Sequence, residues 1–284
     1  MGKPQTRRQE SLLAASIILL IHPAMYRVLR WSRASVRSLI RHAHAPAVQA
    51  TGALSDNSFA FSGCGWLTPF HLGVLDALIQ RNMVNSETVF AGSSGGAIAA
   101  LVGCSGVHPT LALQKLIDLS KNKEFWQDID AGLRNEDFMV DFPDDIVDRC
   151  NGRLYVTATR VWPKPSAEVT MFSNYDSLND ILSCVAASCF IPFYCSQKLY
   201  VECRGGRYID GGLLAIMPPI GNVKISPLPK VVFPRRLRPD ISPKPALRIE
   251  ELTKNAFIPP PAAELERLYE IGIESTSLWL SDKK

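Results

Sequence analysis

A glycine-rich turn between a strand pattern and a helix pattern is the feature that most restricts the fold of this chain. Residues 88–91 favour a strand, residues 92–96 read Gly-Ser-Ser-Gly-Gly, and small helix-forming residues follow to position 101. Gly92 and Gly96 lie two residues on either side of Ser94. This spacing suits a strained strand-to-helix turn in which a Cβ has no room, and it matches the G-x-S-x-G nucleophile elbow. A glycine-rich turn that merely opens a helix is the alternative.

The positive charge of the chain is concentrated near its start. The 284 residues carry a formal net charge of +4, but residues 1–55 hold eight basic residues and one acidic residue, so the rest of the chain is net −3. The basic character therefore belongs to a leader at 1–55, and nucleic acid is excluded as a partner. The chain is 46% hydrophobic, enough for a sizeable core, and we place one domain at 56–284.

The leader has the composition of a targeting or membrane-binding segment. Its apolar stretch at 12–21 ends at His22 and Pro23, short of the roughly 20 residues that span a bilayer. Five arginines then recur every three or four residues between positions 27 and 41, with aliphatic residues among them, which predicts a basic amphipathic helix. Three interpretations stay open: a chloroplast or mitochondrial transit segment, an uncleaved anchor on a membrane or lipid-droplet surface, and a disordered tail.

The cysteines predict neither a disulfide framework nor a metal site. There are seven, an odd number, without a C-x-x-C pair or a histidine-rich tract. We therefore expect small buried side chains in a reducing compartment, no metal ion, and a protein that is not secreted.

A second glycine-rich loop follows the first predicted strand. Gly63-Cys64-Gly65 comes after the strand pattern at 58–61, and Thr68 and Pro69 predict an N-cap and a first helical residue. The loop lacks the third glycine of a dinucleotide-binding fingerprint, and the chain has no P-loop signature. The backbone amides of this loop are therefore candidates for an oxyanion hole, which requires donors aimed at developing negative charge.

Strand and helix patterns alternate over the rest of the chain. Strands are predicted at 154–159, 168–172, 198–202 and 206–209, and helices at 111–119, 178–188 and 261–280. In the last helix we expect Leu265, Leu268, Tyr269 and Leu278 to face inward. Such alternation predicts an α/β fold with a mostly parallel sheet.

Residues 218–261 form a long irregular segment that holds eleven of the twenty prolines. Basic residues at 230, 235, 236, 238 and 244 stand among apolar ones. A solvated loop and a contact with an anionic lipid surface are both compatible with this composition.

The partner of Ser94 is not a histidine of the usual chain order. Of the five histidines none follows His108, so the Ser-Asp-His order of an α/β-hydrolase cannot be made. His71 suits a structural position in the core better than a catalytic one. Asp210 stands at the end of a predicted strand and is followed by two glycines, a position where α/β sheets place active sites. An Asp-Gly turn is the alternative interpretation of Asp210.

Together these motifs resemble one family. The similar stretches are residues 61–67 and 71–74, 92–97, 187–194, 208–212, 225–227 and 240–243, and 268–272. In this order they resemble the patatin-like lipid acyl hydrolases, in particular the branch of adipose triglyceride lipase and adiponutrin. The resemblance covers about residues 57 to 284 and leaves the leader unexplained. It implies a three-layer α/β/α sandwich with a central, mostly parallel sheet.

The resemblance also implies a chemistry. Ser94 would be the nucleophile, Asp210 the base, and the amides around Gly63, Cys64 and Gly65 the oxyanion hole, with no metal or organic cofactor. We expect hydrolysis of fatty acyl esters of glycerolipids, triacylglycerol or phospholipid, through an acyl-serine intermediate at a membrane or lipid-droplet surface. An acyltransferase, or a non-catalytic lipid-surface protein on the same fold, is the alternative.

Overall fold

The computed structural model describes residues 57–122, 125, 128–134, 141–162 and 167–283. The leader at 1–55 lies outside these residues, so its helix and its targeting role stay predictions. The strands are β1 (Ser58–Phe61), β2 (Val89–Ser93), β3 (Leu154–Trp162), β4 (Glu168–Phe172), β5 (Val201–Cys203), β6 (Gly206–Ile209) and β7 (Val223–Ile225).

The described helices separate these strands along the chain. They are α1 (Thr68–Gln80), α2 (Gly95–Ser105), α3 (Pro109–Lys121), α4 (Ile129–Arg134), α5 (Ile146–Cys150), α6 (Leu178–Cys189), α7 (Gly212–Ala215), α8 (Ile249–Phe257) and α9 (Ala262–Ser281). None of these helices is long and apolar enough to cross a membrane.

The strands form one sheet in the order β5-β6-β3-β2-β1-β7, with β4 paired to β3 off this path. Strands β7, β1, β2 and β3 are parallel to one another, whereas β4, β5 and β6 pair antiparallel. The fold is therefore α/β with a central, mostly parallel sheet flanked by helices, which confirms the predicted fold class.

Strand β3 brings the ends of β2 and β6 together. β2 runs parallel to β3 and ends with Ser93 opposite Thr157. β6 runs antiparallel to β3 and ends with Ile209 opposite Thr159. Because the two strands approach the same part of β3 from opposite directions, their carboxyl ends meet. The residue after β2 and the residue after β6, Ser94 and Asp210, therefore lie near each other.

The core lies on the central strands and under tightly packed helices. Phe59 and Phe90, on neighbouring strands, are buried, and their ring centroids are 5.9 Å apart. Helices α1 and α9 pack so closely that a Cβ on Gly73 would lie 1.9 Å from the carbonyl oxygen of Tyr269. This contact requires glycine at position 73, because a side chain there would push the helices apart.

Three local predictions are wrong in detail. The segment at 218–261, predicted to be irregular, contains strand β7 and helix α8. Thr68 is the first residue of α1 rather than its N-cap, and its hydroxyl donates to the carbonyl oxygen of Gly65 at 2.7 Å. In α9, Leu278 is 37% exposed while Trp279 is buried. The inward stripe of this helix therefore shifts by one residue near its end. Leu265, Leu268 and Tyr269 are buried as predicted.

All seven cysteines are buried and none forms a disulfide. Burial raises the pKa of the Cys64 thiol to about 12, so this side chain stays protonated and is not a nucleophile at neutral pH. The cysteines therefore behave as the small buried side chains that the sequence predicts.

Candidate active site

Ser94 lies at the apex of the turn between β2 and α2. Its backbone has φ 54° and ψ −130°, a conformation that costs free energy for a residue with a side chain. A Cβ on Gly92 would lie 2.2 Å from the carbonyl oxygen of Gly96, and one on Gly96 would lie 2.3 Å from the carbonyl oxygen of Phe61. The glycines on both sides of Ser94 are therefore required sterically, as the sequence predicts.

Ser188, near the end of α6, holds this turn in place. Its hydroxyl accepts a hydrogen bond from the Ser94 amide at 2.8 Å and donates one to the Thr157 carbonyl oxygen at 2.6 Å. The Ser188 carbonyl oxygen accepts from the Gly211 amide at 2.9 Å. Ser188 is fully buried. One residue thus connects the backbone of Ser94, strand β3 and the turn after β6, a role that no sequence pattern indicated.

Asp210 is held at the end of β6 by its backbone. Its amide donates to the Phe190 carbonyl oxygen at 2.7 Å, and its carbonyl oxygen accepts from the Thr159 hydroxyl at 2.8 Å. Its side-chain Oδ1 accepts from the Gly212 amide at 2.7 Å. The backbone and one carboxylate oxygen are thus oriented by neighbouring groups, which leaves Oδ2 for another partner.

The Asp210 carboxylate is close to Ser94 and desolvated. Burial raises its pKa to about 6, while hydrogen bonding from the Ser94 side chain and the Gly212 amide acts in the opposite direction. Among the described residues Oδ2 has no hydrogen-bond partner of standard geometry. The Ser94 hydroxyl therefore interacts with the carboxylate without meeting full hydrogen-bond geometry, which is common in resting active sites. The arrangement joins the two residues that the sequence predicted as a dyad.

The loop at 63–65 lies against the turn that carries Ser94. A Cβ on Gly63 would lie 3.4 Å from Ser94 Cβ, and one on Gly95 would lie 2.7 Å from the Gly65 carbonyl oxygen. However, the Gly63 amide donates to the Ile216 carbonyl oxygen at 2.7 Å. The Gly63 amide is therefore not available to an oxyanion. Of the three donors predicted at Gly63, Cys64 and Gly65, only the amides of Cys64 and Gly65 remain.

The amides of Cys64, Gly65 and Gly95 make no backbone hydrogen bond to another described residue. The Gly95 amide stands at the first position of α2, where helical amides lack an internal acceptor and favour negative charge. This amide was not among the donors predicted at Gly63, Cys64 and Gly65, although the residue after the nucleophile is a usual donor in such turns. Three amides on two adjoining segments are thus candidates for binding an oxyanion.

Neither His71 nor His108 forms a hydrogen bond with Ser94 or Asp210. His71 is fully buried, its Nε2 lies 3.0 Å from the Ser62 carbonyl oxygen, and burial lowers its pKa to about 4. His108 caps α3, and its Nε2 lies 3.7 Å from a carboxylate oxygen of Asp76. His71 is thus a neutral core residue, in line with the structural position predicted for it.

An apolar cavity of about 100 Å³ opens at Ser94. Helices α2 and α3 form much of its wall, and residues from α4 and from the segment after α6 complete it. Apart from Ser94, Thr68, Lys115 and the Tyr194 hydroxyl, its lining is apolar, and it includes Ile98, Val102, Leu116, Leu119, Ile129 and Leu133. The apolar lining is compatible with part of a hydrocarbon chain, and Ser94 lies in the cavity wall.

Comparisons with known proteins identify related sequences. The family model described as Patatin-like phospholipase matches residues 59–221. Human patatin-like phospholipase domain-containing protein 4 is 28% identical over 253 residues, covering 78% of this chain and 96% of the relative. Mouse omega-hydroxyceramide transacylase is 34% identical over 172 residues, covering 57% of this chain.

Human 1-acylglycerol-3-phosphate O-acyltransferase PNPLA3 is 27% identical over 252 residues, covering 80% of this chain. The chain spans 28% of the transacylase and 51% of this acyltransferase. The relatives thus include proteins named as acyl-transferring enzymes. The family model covers more than half of the chain, and the elbow, the aspartate and the adjoining loop all lie within it. The chain belongs to the patatin-like phospholipase family.

Proposed function

We propose that this protein hydrolyses fatty acyl carboxylic esters of glycerolipids, triacylglycerol or phospholipid, with Ser94 as nucleophile and Asp210 as base. The observation that carries the proposal is a strained serine beside a buried carboxylate in the wall of an apolar cavity. Family membership supports a lipid hydrolase or acyltransferase. The geometry of the site supports attack of a serine on an acyl ester.

The reaction begins when the acyl chain lies in the cavity and its ester carbonyl carbon faces Ser94 Oγ. Ser94 Oγ attacks this carbon while Asp210 Oδ2 accepts the hydroxyl proton. The carbonyl oxygen becomes an oxyanion, which the amides of Cys64, Gly65 and Gly95 stabilise. When the intermediate collapses, the bond to the alcohol oxygen breaks, and Asp210 returns the proton to that oxygen. The acyl group is then on Ser94 and the alcohol leaves.

Water completes the cycle. A water molecule gives a proton to Asp210 and attacks the acyl carbon, and the fatty acid leaves as the proton returns to Ser94 Oγ. A carboxylate of ordinary pKa, about 3.9, is a weak base. Burial raises the pKa of Asp210 to about 6, which makes the carboxylate more basic and still leaves it ionised at neutral pH.

Covalent labelling tests the nucleophile. A fluorophosphonate probe is expected to form one adduct that maps to Ser94, is absent from Ser94→Ala, and is greatly slowed in Asp210→Asn. Folded protein that gives no adduct would favour the non-catalytic alternative, a lipid-surface protein on this fold. An Asp210→Asn variant with wild-type turnover would rule out the dyad.

Transfer to a second lipid is the other candidate, because a relative 34% identical over the aligned region is named a transacylase. In that reaction a lipid hydroxyl replaces water at the acyl-Ser94 stage, and the proton transfers through Asp210 are unchanged. Product analysis with and without an alcohol acceptor separates the two reactions. Free fatty acid without an acceptor supports hydrolysis, whereas product formed only with the acceptor supports transacylation.

The division of the chain is part of the proposal. We assign 56–284 to the patatin-like domain and 1–55 to a targeting or membrane-associating leader, because the net positive charge and arginine spacing are confined to 1–55. Residues 1–50 fused to a fluorescent reporter are expected to leave the cytosol for an organelle, membrane or lipid droplet. A diffuse cytosolic signal would contradict this assignment.

A further inference from the structure

A basic segment at 228–239 carries four cations that form no ion pair with another described residue. It contains Lys230, Arg235, Arg236 and Arg238 and no aspartate or glutamate, and all four cations are exposed. Arginines elsewhere, such as Arg204, are paired with carboxylates. The positive charge of this segment is therefore available to an external anion.

Apolar residues of the same segment pack against the protein, and its cations remain exposed to solvent. Phe233 is buried and packs with Met217, while Val232 and Leu237 are partly buried in the same cluster. Two short 3-10 turns, Lys230–Val232 and Arg235–Leu237, hold the backbone in this arrangement. Val231 is 51% exposed. The segment thus presents one exposed aliphatic side chain among cations while its other apolar residues anchor it.

The basic segment adjoins the candidate active site. Val232 and Leu237 lie in the cluster that Ile216 also joins. Ile216 accepts a hydrogen bond from the Gly63 amide at 2.7 Å, and Gly63 lies against Ser94. The segment is therefore connected to the Ser94 turn through Ile216 and Gly63.

Helix α7 comes directly before Ile216, which packs against the same cluster as Val232 and Leu237 of the basic segment. It begins two residues after Asp210, and none of its residues is buried. Leu213, Leu214 and Ile216 are all partly exposed. Apolar side chains left accessible next to cations form a surface that suits the boundary between anionic headgroups and acyl chains.

We propose that α7 and the basic segment at 228–239 dock this protein on an anionic lipid bilayer. The cations bind lipid headgroups, and Val231 with the exposed part of α7 contacts the acyl boundary. The inference rests on the proposed function only in that the substrate is a lipid, because the charge argument is independent of catalysis.

Vesicle co-flotation of the full chain tests the surface. The five leader arginines between positions 27 and 41 are replaced by glutamine in every protein compared, because the leader is itself a proposed membrane-binding segment. The triple variant Arg235→Gln, Arg236→Gln, Arg238→Gln is compared with wild type on phosphatidylcholine vesicles with and without phosphatidylserine. Each basic residue near an anionic membrane strengthens binding about fivefold, so the variant is expected to bind phosphatidylserine vesicles about 100-fold more weakly. High salt should weaken wild-type binding toward that of the variant.

A matched control removes three cations that lie outside the basic segment. Arg81 lies after the end of α1, Arg149 is in α5, and Lys283 follows α9. Arg81→Gln, Arg149→Gln, Lys283→Gln changes the net charge equally and is expected to bind the vesicles nearly as wild type does. Thermal unfolding confirms that both triple variants are folded.

Turnover of soluble p-nitrophenyl butyrate separates failure of docking from failure of catalysis. The basic-segment variant should keep this turnover and lose activity only on anionic vesicles. Vesicle binding is also measured with Ser94→Ala. This measurement tests docking even if the protein cleaves no ester. Equal vesicle binding by wild type and the basic-segment variant would overturn the proposal. Wild-type binding that is the same with and without phosphatidylserine would also overturn it.

Discussion

Replacing Ser188 by alanine should separate the positioning of Ser94 from the stability of the fold. The substitution leaves the buried Ser94 amide without an acceptor and removes the donor to the Thr157 carbonyl oxygen. An unsatisfied buried group costs about 1–3 kcal/mol, so we expect a loss of roughly 2–4 kcal/mol for the two. For a domain of this size that lowers Tm by about 5–15 °C.

The effect on turnover should be larger than the stability loss explains. Ser94 keeps a positive φ because its surroundings hold it there, and the Ser188 hydroxyl is the group that binds its amide. A small displacement of a nucleophile costs up to about 100-fold in rate. At a temperature where the variant is folded, we expect kcat to fall about 10- to 100-fold with little change in KM.

Ser105 provides a matched control. It is buried, its hydroxyl donates to the Val102 carbonyl oxygen at 2.8 Å, and it accepts from the Val107 amide at 3.1 Å. These are the same two kinds of hydrogen bond that Ser188 makes, but Ser105 lies at the far end of α2, about 15 Å from Ser94.

Thermal unfolding and steady-state kinetics on a soluble ester are measured for both alanine variants. Ser105→Ala should lose comparable stability and keep kcat. A Ser188→Ala variant that keeps wild-type kcat would refute the reasoning.

Four further predictions concern the same site. Because proton acceptance requires ionised Asp210, whose pKa is raised to about 6 by burial, kcat/KM on a soluble ester should rise with pH and level off above about pH 7; a profile flat from pH 4 to 8 would contradict this. The raised pKa means that the folded state holds this proton more tightly than the unfolded state, so stability is lost as pH rises through about 6, by up to roughly 3 kcal/mol. Asp210→Asn should therefore melt above wild type at pH 8 and not at pH 4, and a lower Tm at pH 8 would argue against the burial cost. Gly92→Ala should fail to fold stably, since its Cβ would lie 2.2 Å from a backbone oxygen, whereas Gly63→Ala, with nothing nearer than 3.4 Å, should keep its Tm. Leu116→Phe, in the cavity wall, should lower kcat/KM for a long-chain p-nitrophenyl ester but not for the acetyl ester, and equal effects on both would exclude the cavity as the acyl site.

Much of the fold was predictable because local patterns and tertiary packing agree. The strand before Ser94, the helix after it and the glycines around it follow from steric rules that act over a few residues. Element ends were less accurate. Thr68 was predicted as an N-cap, but its hydroxyl serves the Gly65 carbonyl oxygen. Leu278 was predicted to be buried, but α9 buries Trp279 instead, since the partner helix decides which side of a helix is covered.

The sequence by itself determined the type of fold and the turn at Ser94, and it excluded the Ser-Asp-His chain order, because glycine sterics, hydrophobic periodicity and the absence of a later histidine are local or countable properties. Only the tertiary structure decided that β2 and β6 meet along β3, that Ser188 holds both of their ends, and that the Gly63 amide is already bonded to Ile216. These contacts join residues far apart in the chain. Which groups become neighbours, which amides stay available and how strongly a carboxylate is desolvated are set by packing, which no local pattern encodes.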